Sequence, residues 1–144
     1  MILTHQELIR IALEVRENAY VPYSRFKVGA ALLGVSGKVY TGCNVECASY
    51  GGTNCAERTA IFKAVSEGER SFTAIAVVGD PKAYTFPCGI CRQVMVEFGR
   101  SLEIIVAKNA DDYRVYSMDD ILPHSFTPDD LENSCQEGAH THDL

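Results

Sequence analysis

TAIAVVGD, residues 73–80, is the stretch whose reading decides the fold. Ala74 to Val78 are apolar without a break, so a strand here has no face for water and needs cover on both sides. The flanking segments provide it. Upstream, NCAERTAIFKAVSEG (54–68) has Asn54 as a candidate helix cap, Ile61, Ala64 and Val65 as an apolar face, and Gly68 as a stop. Downstream, FPCGICRQVMVEFG (86–99) has a proline where a helix can begin, Val94, Met95 and Phe98 as its stripe, and Gly99 at its end. A second apolar strand, LEIIVAK (102–108), follows. Strands alternating with helices give an α/β chain.

Nearer the start, Thr4 and Glu7 have capping-box spacing, and Leu8, Ala12, Val15 and Ala19 mark one face of a helix ending before Pro22. Phe26, Val28, Ala30 and Leu32 then alternate, Ser36 and Gly37 supply a turn, and Lys38 to Asn44 return as a second strand. Beyond the apolar strands, Tyr113 to Met118 reads as a last strand and SMDDILP (117–123) as a cap with a short helix. The expected fold is an α/β/α sandwich with a mixed sheet that opens on an antiparallel hairpin.

The 144 residues suit one domain, read as 1–131, with a polar tail at 132–144 whose His140 and His142 read as solvated. A net charge of −6 and scattered lysines and arginines disfavour nucleic acid. MILTHQELIR has neither a basic leader nor an apolar run, and no later segment is long enough to span a bilayer, so a cytoplasmic protein without a membrane partner is expected. In a reducing compartment the six cysteines point to metal or catalysis rather than to disulfides.

Cys88 and Cys91, three apart at a helix start, can reach one ion. A thioredoxin-like redox pair fits the spacing but belongs after the first strand of its fold, not this far along. Cys55 opens the preceding helix, so two helix N-termini can aim thiolates at one point, an arrangement suited to zinc. A fourth ligand would have to come from Cys43, Cys47, Cys135 or a histidine, none in paired spacing, which favours a site left open for catalysis. Glu57 has two readings. As Asn54-x-x-Glu57 it is a helix-capping carboxylate; beside an open zinc it is a proton carrier, since side chains of a first turn lean toward the helix end.

PYSRFKVGAAL (22–32), GCNVE (42–46), NCAER (54–58), PCGICRQ (87–93) and ILPHSF (121–126) together resemble the small homotetrameric zinc-dependent cytidine deaminases, over about residues 5–131. Zinc deaminase chemistry uses the same parts: three thiol or imidazole ligands, a non-ligating glutamate and P-C-x-x-C. The resemblance implies a five-stranded deaminase sandwich and a homotetramer with active sites at subunit contacts. It also implies one Zn²⁺ per subunit on Cys55, Cys88 and Cys91, with Glu57 as proton shuttle. The implied reaction is hydrolytic deamination of cytidine, and of deoxycytidine, in pyrimidine salvage.

Carried over in the same way, Arg58 would hydrogen-bond the zinc-ligating sulfurs, with Arg92 assisting. Asn44 and Glu46 would bind the ribose 3′-hydroxyl, Phe26 the pyrimidine, and the Ala56 amide the base carbonyl. Tyr50 and Phe126 would reach a neighbouring subunit's site. Cys47 departs from the asparagine frequent in relatives, Cys43 reads as a buried inert thiol, and Cys135 as a tail residue. Two rivals stand beside this: a deaminase of aminopyrimidine antibiotics, disfavoured by the intact NVE and by Arg58, and a non-catalytic zinc-stabilised binding module in which Glu57 only caps its helix.

Overall fold

The computed structural model describes residues 3–132. The tail residues Cys135, His140 and His142 therefore lie outside the described residues. Helix α1 (His5–Arg16) leads into strands β1 (Gly29–Gly34) and β2 (Val39–Cys43), then helix α2 (Ala56–Ser66), strand β3 (Phe72–Val78), helix α3 (Gly89–Glu97), strands β4 (Glu103–Asn109) and β5 (Asp112–Tyr116), and the short helix α4 (Met118–Ile121). The five strands form one sheet in the order β2-β1-β3-β4-β5. Only β3 and β4 run parallel, and α3 supplies the crossover that a parallel pair needs; the other neighbours are antiparallel.

Alternation along the central strands divides the core. Ala74, Ala76 and Val78 of β3, with Ile105 and Ala107 of β4, pack under Leu8, Ile9 and Ala12 of α1. Ile75 and Val77, with Ile104 and Val106, face Ile61 of α2 and Met95 of α3. The sheet is thus covered on both faces, three layers in all. Small side chains on the α1 side bring that helix in close: a Cβ on Gly29 would lie 2.1 Å from the Ala12 carbonyl oxygen.

Local signals set the element ends. The Thr4 hydroxyl accepts the Glu7 N–H at 3.1 Å. Past α2, the Gly68 N–H reaches the Val65 carbonyl and the Glu69 N–H the Ala64 carbonyl, with Gly68 at φ 94, the double closure of a Schellman turn. Ser117 and Asp120 form a complete capping box on α4, so Met118 belongs to that helix and not to the strand before it.

Helix α1 stops at Arg16, before Ala19, because Tyr20 leaves to bridge to the segment beyond β2: its N–H donates to the Asn44 carbonyl and its carbonyl accepts the Glu46 N–H. Strand β1 starts at Gly29, leaving Phe26 and Val28 ahead of it. The cap of α2 is Cys55, one residue later than the sequence indicates. Asn54 is held extended by two backbone bonds to Val45, and its side chain donates to the Thr59 hydroxyl instead.

Gly42 sits where β2 meets α2. A Cβ there would come within 2.3 Å of the Ala56 carbonyl oxygen and 2.5 Å of the Ala60 nitrogen, both backbone atoms that cannot rotate away. Gly42→Ala is therefore expected to lower stability by roughly 1–3 kcal/mol, because the helix that carries Cys55 must lift off the sheet. Urea unfolding measures this, and an unchanged midpoint would show that α2 has slack against β2.

Candidate active site

One end of the sheet gathers the chemistry. Gly29 at the start of β1 pairs with Cys43 at the end of β2 and with Val78 at the end of β3. The segments at this end are therefore 26–28, 44–46 and the 79–88 loop, and the start of α2 joins them through the bridge between Val45 and Asn54. Between them lies a cavity of about 290 Å³, lined in part by Phe26, Asn44, Glu46, Ala56 and Glu57, with Cys55 and Cys88 at its wall.

Cys55 and Cys88 are the N-caps of α2 and α3, and Cys91 is in the first turn of α3. Neither cap uses its side chain to bond its helix, which leaves both sulfurs free to face each other across 3.6 Å. All three sulfurs lie within 4.8 Å of one another, and among the described residues no other Cys, His, Asp or Glu joins them. Zinc–sulfur bonds of about 2.3 Å at tetrahedral angles put sulfurs about 3.8 Å apart, so the Cys55–Cys88 spacing and the donor type both fit zinc.

The metal-free sulfurs share protons unequally. Hydrogen bonding with Cys91, ahead of that with Arg58 and Cys88, lowers the Cys55 thiol to about 5 against the opposing effect of burial. The same bond, together with burial, pushes Cys91 upward. Arg58 donates from Nη2 to the Cys55 sulfur at 3.2 Å. Arg92 turns elsewhere: its Nε donates to the Pro87 carbonyl and its Nη1 to the Ile121 carbonyl, each at 2.7 Å, bracing the turn that presents Cys88.

Glu57 is 4% exposed. With Cys55 as the cap, the third helical position of α2 is Arg58, so Glu57 is out of register for a capping box. Burial, reinforced by the neighbouring Cys55 charge, raises its carboxyl to about 7 in the metal-free chain. A buried carboxyl that is ionised about half the time near neutrality is suited to moving protons.

Asn44 and Glu46 both reach the cavity, yet each is already tethered. The Asn44 side chain accepts the Val28 N–H and donates to the Phe26 carbonyl, both at 2.8 Å. Glu46 accepts the Tyr23 and Ser24 N–H groups and the Ser24 hydroxyl. Phe26 is 44% exposed at the cavity and packs near Gly79, where a Cβ would come within 3.1 Å of its ring and 2.2 Å of the Thr85 hydroxyl.

Tyr50 and Phe126 do not line this cavity. Tyr50, 75% exposed, stands edge-on to Tyr23 in an adjoining hollow, and Phe126, 58% exposed, is anchored by its carbonyl, which accepts from Gln93 at 2.7 Å. Cys43 is half-buried at the end of β2 rather than fully enclosed. Cys47 lies in the following loop, its N–H donating to the Thr53 hydroxyl at 3.2 Å. Ser24, Thr85 and Phe86 also line the cavity, and the sequence alone does not single them out. For the last two the available signal is their place directly before the PCGIC turn.

The family model for the cytidine and deoxycytidylate deaminase zinc-binding region matches residues 3–108. The chain is 50% identical over 132 residues to the cytidine deaminase of Halalkalibacterium halodurans, covering 91% of this chain and 100% of that protein. It is 46% identical over 127 residues to a probable cytidine deaminase of Dictyostelium discoideum, covering 88% and 86% respectively. Among solved structures, cytidine deaminase from Burkholderia pseudomallei matches with a TM-score of 0.81 at 55% identity, covering 86% of this chain and 100% of that one. The Mycobacterium tuberculosis enzyme matches with a TM-score of 0.76 at 41% identity, covering 87% and 98%.

Proposed function

The chain belongs to the cytidine deaminase family, and from that membership and the geometry of the cavity we propose that it hydrolyses cytidine and 2′-deoxycytidine to uridine and 2′-deoxyuridine with release of ammonia. The observation that carries this reading is the buried Glu57 carboxyl beside three sulfurs that match zinc, at the wall of a cavity of nucleoside size. Zinc on Cys55, Cys88 and Cys91 supplies Lewis-acid activation of water at neutral pH.

Glu57 takes one proton from the attacking water and delivers it to ring N3, then takes the second from the resulting C4 hydroxyl and delivers it to the departing amine. The Ala56 N–H, at the first position of α2 and so without a partner in the helix, is a donor for the base carbonyl. Phe26 offers its ring to the pyrimidine. Each end of the Asn44 amide and the Glu46 Oε2 retain capacity for a further bond, enough to receive sugar hydroxyls. The Glu46 charge repels a 3′-phosphate, which favours a free nucleoside over a nucleotide or a polynucleotide.

Three thiolates outweigh the charge of one zinc ion and blunt its pull on water; the Arg58 guanidinium draws charge off the Cys55 sulfur and offsets this. Arg58→Ala is expected to weaken zinc retention about 10–100-fold in competition with a chelator. Unaltered retention with an unaltered pH profile would show that the Arg58 bond to sulfur does not tune the metal.

The same reading takes residues 1–131 as a single catalytic domain acting in the cytoplasm in pyrimidine salvage. It assembles as a homotetramer in which Tyr50 and Phe126 reach a neighbouring subunit's cavity. Among the described residues no helix is long and apolar enough to cross a membrane. Incubation of zinc-loaded protein with cytidine or cytidine 3′-monophosphate tests the proposal. Uridine and ammonia in equal amounts, with the phosphate ester much the poorer substrate, is the expected result; an inert cytidine or a preferred phosphate ester overturns it.

A further inference from the structure

Ser24 joins two groups that come from different parts of the chain. Its hydroxyl accepts the Phe26 N–H at 3.1 Å and donates its own proton to Glu46 Oε2. The N–H groups of Tyr23 and Ser24 meet on Glu46 Oε1 at 3.0 and 3.1 Å. One turn therefore holds both carboxylate oxygens. The turn is itself wound tightly: Arg25 is left-handed at φ 59, and its N–H closes on the Val21 carbonyl at 2.9 Å.

A serine hydroxyl that bonds the backbone two residues on is an ordinary turn device. Here its proton also reaches outward, to a residue 22 positions away. Glu46 follows the end of β2 and has three rotatable bonds, so without these donors its carboxylate samples many positions around the cavity. Ser24 lines both this cavity and the adjoining hollow, placing it between the aromatic contact and the carboxylate. Fixing a polar group before the ligand arrives removes an ordering cost from binding.

We propose that Ser24 is a positioning residue that sets Glu46 relative to Phe26, and thereby the strength with which the enzyme holds the 3′-hydroxyl of its nucleoside. This rests on the reading of Glu46 as a sugar contact. Such an interaction is made equally before and during reaction, so its loss raises KM and leaves kcat largely alone. A purely structural role for Ser24 would lower stability without distinguishing one nucleoside from another.

The test is steady-state kinetics of the zinc-loaded full chain on cytidine and on 3′-deoxycytidine, which lacks the hydroxyl. Ser24→Ala is expected to raise KM for cytidine about tenfold, the effect of losing one hydrogen bond to a charged group. Its kcat on cytidine and its KM for 3′-deoxycytidine are expected to stay within about twofold of wild type. Ser24→Thr, which restores the hydroxyl, returns KM for cytidine toward wild type. It also provides the comparison should the alanine variant fold poorly. Equal KM changes on the two nucleosides overturn the proposal, as does an unchanged KM in Ser24→Ala while Glu46→Gln raises it. If Glu46→Gln is also silent, the sugar role of Glu46 falls with it, so the two failures are distinguishable.

Discussion

Glu57→Gln lowers deamination of cytidine by at least about 10²–10⁴-fold while zinc content stays at the wild-type level. The amide has nearly the shape of the carboxyl, and the site is 4% exposed and flanked by packed helix residues, so the substitution leaves the fold in place. What it removes is the capacity to take a proton at one moment and give it at the next. Wild-type turnover in this variant would remove Glu57 from the reaction.

The same substitution has a second signature in metal-free protein. Burial raises the Glu57 carboxyl from 4.5 to about 7, so between those values the folded chain keeps a proton that the unfolded chain has released. Stability contributed by this group is therefore greatest at low pH and falls as pH rises through that window. The full difference is about 3 kcal/mol once both states are ionised. Glu57→Gln has no such slope, so its unfolding free energy gains on wild type from pH 5 to pH 8, by an amount of about this size. Parallel urea titrations at several pH values measure it, and curves that keep a constant separation contradict the buried, neutral carboxyl.

Cys91→Ala is the other change of large effect. Cys91 is fully buried, one turn into α3, and removing its sulfur leaves two ligands on separate helix ends. Structural zinc sites with four ligands bind with roughly 10–16 kcal/mol, so one thiolate contributes several kcal/mol and its loss weakens zinc at least about a hundredfold. Turnover falls with the metal. Cys47→Ala, which alters a thiol outside the cluster, keeps both metal and activity. If Cys91→Ala retains zinc at wild-type affinity, the ion is held elsewhere.

Where a residue's own backbone sets the geometry, the sequence is a faithful guide. Thr4 caps α1, Gly37 turns the hairpin with φ 91, Gly68 closes α2 and Ser117 boxes α4, each through partners within five residues. The unbroken apolar run of β3 likewise dictates burial on both faces. The departures at the end of α1 and the start of α2 come from distant partners. Ala19 falls outside α1 and Asn54 gives up its capping place to Cys55 because the 44–46 segment claims the backbone on either side of it.

The site follows the same division. Spacing and helix starts are enough to bring Cys55, Cys88, Cys91 and Glu57 to one place, because all four lie at or within a turn of a helix N-terminus. Ser24 is not legible, since its importance comes from Glu46, which the sheet folds back against it. Nor is the direction of Arg92, which is drawn away from sulfur by two carbonyls, one of them 29 residues downstream.

The centre of the proposed chemistry is the set of three sulfurs, Cys55, Cys88 and Cys91, that would hold one zinc ion beside Glu57. Zinc content and native thiol reactivity, followed in one titration as a chelator strips the metal from folded protein, test this directly. Of the six cysteines, three should gain reactivity as one zinc per chain leaves. Release of a fourth thiol with the metal would mean a closed, structural site, and isolated protein that carries no zinc would leave the cluster without its ion.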